Sequence, residues 1–192
     1  RNSVKSKQRR IFRFDERVNL RLDAIQQRMT TASEPLPDWH IKQVIFRDIG
    51  EYKPLDSDWR TINVGDTWGG DGISAFFKRD VTIPAHMAGA PITLRFYVGG
   101  DSLLSLDGVP YHGLDPFRSA VRLPDDLNGG KTLNVEVESY VHWHSGEGDI
   151  NVFHMAELVV IDAEIEAAYW DFVAAFKVLA MNDIDTRLEA FL

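Results

Sequence analysis

Between residues 142 and 154, in HWHSGEGDINVFH, three histidines and two carboxylates fall within thirteen positions. On an extended strand His142 and His144 project from the same face, because side chains alternate with a period of two. Two imidazoles so placed can share a metal ion, with Asp149 or His154 closing the site. The plainer reading makes them polar residues at a strand end and loop, with Trp143 on the opposite face as core. Glu147 and Asp149 raise a second chemistry, the acid and base of a glycosidase. Such pairs stand ~5–9.5 Å apart across a groove, a geometry that neighbours on a Gly-rich loop need not reach.

Aromatic residues offer a third chemistry. Trp59, Trp68, Tyr111, Phe117, Tyr140 and Trp143 lie near expected turns, where a ring can stack on a pyranose. Asp71, His144 and Asp149 would then bind its hydroxyls, so that Trp68, Asp71, Tyr111, Trp143, His144 and Asp149 form the candidate carbohydrate-binding set. Burial competes with this reading, since Trp and Tyr also fill cores. Trp59 reads first as core. Trp68 and Trp143 sit beside glycines that leave access, and both readings stay open for them. Trp68-Gly69-Gly70-Asp71-Gly72 is no phosphate loop, lacking the Gly-Lys-Ser/Thr ending and a following helix. Ser105 and Ser145 have nearby histidines, but no nucleophile elbow frames them.

Short strands must position these groups. In Pro91–Gly113, Ile92, Leu94, Phe96 and Val98 alternate with Thr93, Arg95, Tyr97 and Gly99, which sends one set to each face. Gly99-Gly100-Asp101 can reverse the chain, and Asp107-Gly108 is a strong hairpin signal because a type I′ turn needs two residues tolerant of positive φ. Such a layer needs a second sheet to cover it. WHIKQVIFRDIGEY, WRTINVG, ISAFFKRDVTIP, SLLSLDG, SAVRLP and KTLNVEVESYVHW supply further strands, divided by Gly, Pro, Asp and Asn clusters. The expected fold is mainly β, an antiparallel jelly-roll β-sandwich flanked by N- and C-terminal helices. A polar residue at Phe96 or Leu106 should unfold it, since each buried apolar side chain contributes about 1.5–3 kcal/mol.

The helices come from a different period. Ile11, Phe14, Val18, Leu22, Ile25 and Met29 make one stripe over residues 11–31, ended by the linker SEPLPDW. Asp162 reads as the N-cap for a second stripe, Ile165, Tyr169, Phe172, Phe176 and Leu179. Asn182-Asp183 breaks it, and a further apolar helix starting after Asp185 runs to Leu192, which predicts a chain that continues.

Composition excludes several classes. With 192 residues, 44% hydrophobic and 26% charged, the chain is an ordinary globular protein without a transmembrane run. Zero cysteines exclude disulfides, thiolate metal sites and a thiol nucleophile, and fit the reducing cytoplasm expected here. Net charge is −8, yet residues 1–28 hold nine Lys/Arg against three Asp/Glu, and residues 157–192 hold two against eight. Complementary docking of the two ends explains this better than nucleic acid, because the basic arm lacks interleaved aromatics.

Recognisable first from Trp59 to Leu123, nearly the whole chain, about residues 12–192, resembles the N-terminal region of family 38 glycoside hydrolases, the class II α-mannosidases of the bacterial and fungal-vacuolar type. Trp68-Gly69-Gly70, Phe76–Arg79, Val81-Thr82-Ile83-Pro84 and Gly108–Asp115 carry the resemblance, with Ala156-Glu157-Leu158 as entry to the C-terminal helix. It implies an accessory jelly roll, similar to galactose-binding-like domains, placed before a zinc-dependent retaining catalytic domain. The implied layout is residues 1–38 as helix and linker, 39–156 as sandwich, and 157–192 as helices leading to that domain. The family's Gly-His-x-His-x-Asp zinc motif has no full counterpart. Val141 precedes His142-Trp143-His144, and Gly146 stands where the Asp is expected. No catalytic or metal residue is carried over, and zinc is expected only in the catalytic domain. The implied function is a non-catalytic domain that supports hydrolysis of terminal α-mannosides. The alternative is a module that binds mannose-type glycans through loop aromatics. The implied partners are the catalytic domain, α-mannoside glycans and, through the parent enzyme, further copies; nucleic acid and membrane are not among them.

Overall fold

The computed structural model describes residues 17–70, 72–125, 127–140 and 150–181. Helix α1 (17–29) gives way at once to strand β1 (Thr30–Pro35). The expected helix ran two residues further. Thr30 and Thr31 are both β-branched, which stiffens χ1 and favours extended backbone. β2 (Trp39–Asp48), β3 (Glu51–Pro54), β4 (Arg60–Ile62), β5 (Thr67–Gly69) and β6 (Ile73–Thr82) come next. β7 (Ile92–Tyr97), β8 (Asp101–Leu106), β9 (Val109–Leu114), β10 (Ala120–Arg122) and β11 (Thr132–Tyr140) follow. β12 (Ile150–Val152) and β13 (Met155–Ile161) lead to helix α2 (Ala163–Met181).

One sheet runs β1-β13-β7-β10, and the larger runs β3-β2-β6-β11-β8-β9 with β4 also on β2. β5 and β12 make a separate two-stranded ribbon. Pairings within the larger sheet, and those of β7 with β10 and β13, are antiparallel. This is the mainly β jelly-roll sandwich the alternation predicts.

The chain divides into two compact units, Ala32–Val160 and the terminal segments Arg1–Thr31 with Ile161–Leu192. In the first, the alternating residues of facing sheets meet as a core. Leu94 and Phe96 of β7 and Leu158 of β13 come from one sheet; Phe77 of β6, Val137 of β11 and Leu104 of β8 come from the other. Trp39, Phe77, Phe96 and Phe153 form an aromatic centre, with Trp39 and Phe96 ring centroids 4.5 Å apart. Fully buried rings contribute area and tilted or edge-to-face contacts together. Asp107 (φ 50°) and Gly108 (φ 78°) join β8 to β9 in the left-handed turn their sequence predicts. Gly100 (φ 71°) brings the backbone so close to β11 that a Cβ there would run into the Tyr140 carbonyl oxygen.

In the second unit, α1 buries Val18 and Met29 and half-buries Leu22 and Ile25, four members of the predicted stripe. Asp162 caps α2 as expected, its Oδ1 accepting from the N–H groups of Glu164 and Ile165 at 3.0 Å each. Ile165, Tyr169, Phe172 and Phe176 are half-buried along one face. Among the described residues, no helix is long and apolar enough to cross a membrane.

Two elements differ from the sequence reading. Ala156-Glu157-Leu158 does not enter a helix but lies in β13, paired with Phe96, Arg95 and Leu94 of β7. A short apolar run has no period of its own, and the hydrogen-bonding edge of β7 decides its state. The expected linker likewise contributes β1, whose Pro35 sits on an edge strand, where a missing N–H costs no ladder bond.

Candidate functional site

The structure sorts the expected sugar-binding residues. Trp68 is a correction. It is 3% exposed, its Nε1 donates to the Val98 carbonyl at 2.7 Å, and its ring meets Phe77 edge-on at 5.2 Å. No face remains for a pyranose. The glycines beside it serve the turn instead, with Gly69 at φ 97° and Gly70 at φ 144°. Tyr111 is exposed on β9, but its hydroxyl donates to the Arg122 carbonyl at 2.8 Å. Asp71, Trp143, His144 and Asp149 lie outside the described residues, as do His142 and Glu147. His154 is described and exposed, with its imidazole stacked on Tyr97 at 5.1 Å and 15°.

A different group converges on the larger sheet. Trp59, which precedes β4, is 37% exposed, and Lys78 Nζ lies 4.0 Å over its ring. That cation–π contact is worth about 0.5–1 kcal/mol at an exposed site. Register does the rest. His40 of β2 stands opposite Lys78 of β6, and Asp80 of β6 stands opposite Asn134 of β11. Lys78 and Asp80 are two apart on one strand and therefore share a face. Asn134 Nδ2 donates to Asp80 Oδ1 at 2.9 Å, which orients both groups. Asp38, His40, Trp59, Lys78, Arg79, Asp80 and Asn134 line an open cleft of about 540 Å³.

Two of these residues carry unusual backbone or burial. Asp38 has φ 59°, held by its N–H donating to Asn63 Oδ1 at 2.7 Å. Arg79 lies between Phe77 and Val81 at a spacing of two, and both are buried, so the period of β6 turns it to the core side. Its Nη1 is buried and has no hydrogen-bond partner among the described residues. Burial lowers its affinity for a proton, and the carboxylates of Asp38 and Glu34 push the other way. Sequence reading missed this cleft. The signal present was an alternation, Lys78 and Asp80 on the polar face of a strand, but nothing in it named the cross-strand partners.

The β8–β9 hairpin and the turn after it display apolar side chains. Leu103, Val109 and Tyr111 are exposed, and Phe117 is 95% exposed. The turn is tightly built: Asp115 Oδ1 accepts from the N–H groups of Phe117 and Arg118 at 2.8 Å, and its Oδ2 accepts from Arg118 Nε at 2.8 Å. The Arg118 guanidinium, with these backbone donors, holds the Asp115 carboxyl below its ordinary range.

Among curated proteins, none matches the chain. Among solved structures, the GH31 alpha-xylosidase from Xanthomonas citri aligns with a TM-score of 0.38 at 13% identity, over 69% of this chain and 19% of that one. The chain thus spans about a fifth of that enzyme's length, and the likeness carries no functional argument. A family model described as alpha-mannosidase, jelly roll domain, matches residues 36–166. The match covers more than half of the chain, opens at buried Leu36 and takes in β2 through β13. By that span, the chain belongs to the alpha-mannosidase jelly-roll domain family.

Proposed function

We propose that this jelly roll is the non-catalytic accessory domain of an enzyme that hydrolyses terminal α-mannosides, supporting or shaping its catalytic domain. The observation that carries this reading is the family match, which spans the sandwich from Leu36 through β13. A closed aromatic core is consistent with a folded module that lends surface rather than chemistry. The exposed hairpin residues and Phe117 are the surface we assign to docking, because a rigid turn gives up little entropy when it is buried by a partner. Zinc, on this reading, belongs to the catalytic domain. Among the described residues, none group as three or more potential ligands. No step of hydrolysis is assigned to this chain.

Activity measurements test the reading. The purified 192-residue chain should leave an aryl α-mannoside uncleaved, while a longer enzyme carrying the catalytic domain should cleave it and lose turnover or heat stability when the jelly roll is deleted. Turnover by the short chain that survives a chelator overturns the proposal. So does a catalytic domain that is equally active and stable alone.

A further inference from the structure

We infer that the Trp59 cleft is a binding site for a neutral saccharide. Its lining combines one aromatic wall with groups of both charge signs. Asp38 and Asp80 balance Lys78 and Arg79 in charge, and His40 and Asn134 complete the polar lining. The formal charges cancel, so neither a phosphate nor a cation gains a net field there. A sugar hydroxyl donates and accepts at once, and so satisfies carboxylate, ammonium and amide neighbours together. Planar polar side chains beside an exposed ring are the usual means of fixing a polar ligand in a pocket.

Two observations make this a built site. The Asp80–Asn134 bond points two groups in advance, which lowers the ordering cost of binding. Lys78 over the indole ties Trp59 to the sheet rather than leaving it to the loop. Arg79 also lines the cleft, while its Nη1 is buried and has no hydrogen-bond partner among the described residues. Choosing a mannoside as the first probe rests on the proposed function; the neutral-saccharide chemistry rests on the cleft alone.

The test is a titration followed by the indole N–H signals of the chain's five tryptophans. Trp59→Ala identifies one signal by its loss. Methyl α-mannoside, an α-mannobiose, methyl α-glucoside and inorganic phosphate are added separately to the intact chain. Saturable movement of the Trp59 signal by at least one sugar, in the millimolar range typical of so small a ligand, is expected. Followed by calorimetry, affinity should fall about tenfold in Trp59→Ala and persist in Trp59→Phe, with both variants melting near the parent. Silence with all three sugars overturns the site, as does unchanged sugar affinity in Trp59→Ala. Movement with phosphate alone overturns the assignment to a neutral ligand. None of these outcomes touches the accessory role, which stands or falls on the deletion experiment.

Discussion

Trp59 and Trp68 lie nine residues apart on either side of β4, and the fold treats them oppositely. Trp68 has glycine neighbours, which reads as access, yet it is 3% exposed and hydrogen-bonded to Val98. Trp59 has no such neighbours, which reads as core, yet it stands half open at a polar cleft. Glycine supplies backbone freedom, and a chain can spend that freedom driving a ring inward as readily as opening a path to it. What separates the two is the surface each strand position meets: Phe77 below Trp68, Lys78 beside Trp59. Adjacent residues of β6, pointing to opposite faces, make one tryptophan structural and leave the other for recognition.

That contrast is breakable by substitution. Trp68→Ala should cost about 3–5 kcal/mol, seen as a drop in Tm of roughly 10 °C or more, because it empties a buried aromatic site and orphans the Val98 carbonyl. A variant that melts within a degree or two of the parent would put Trp68 outside the core. Gly100→Ala should cost about 2–3 kcal/mol in urea unfolding, since its φ of 71° disfavours a Cβ and the Tyr140 carbonyl stands in the way. At Gly50, φ 75° with nothing within 4 Å, the same substitution should cost less, which separates collision from backbone strain.

Tyr52 provides a pH-dependent test on the cleft's side of the sheet. Its hydroxyl donates to Glu138 and its ring meets Phe76 at 4.9 Å. Burial, then the Glu138 hydrogen bond and charge, push its pKa up to about 12 from an ordinary 10.0. The folded state therefore holds this proton more tightly than the unfolded chain does. Its contribution is fully present below pH 10 and is lost as pH rises toward 12. Tyr52→Phe should cost about 1 kcal/mol at neutral pH, and the difference from the parent should shrink across that window. A difference that stays constant to pH 12 would contradict the assignment. Trp59→Ala comes last, with a stability loss under about 1 kcal/mol, the worth of an exposed cation–π contact. A loss several times larger would return Trp59 to the core.

Much of the fold was legible in order along the chain. The alternations at Ile92–Val98 and Leu133–Val137, the Asp107-Gly108 turn and the Asp162 cap all reflect local rules that act within a few residues. β13 was not legible, because Met155–Ile161 is a short apolar run whose state depends on β7, some sixty residues earlier. The candidate site was less legible still. Of the six residues first set out as carbohydrate-binding, Trp68 is buried, Tyr111 is engaged with Arg122, and the other four lie outside the described residues.

By itself the sequence determined which residues alternate and where the chain turns, since side-chain period and turn chemistry are properties of neighbours, and its motifs carried the family resemblance. Only the tertiary structure decided that His40, Lys78, Asp80 and Asn134 share one face with Trp59 nearby, because strand register joins residues up to almost a hundred positions apart. Register is set by which apolar faces bury together, and a slip of one residue would send each of these groups to the other side of its strand.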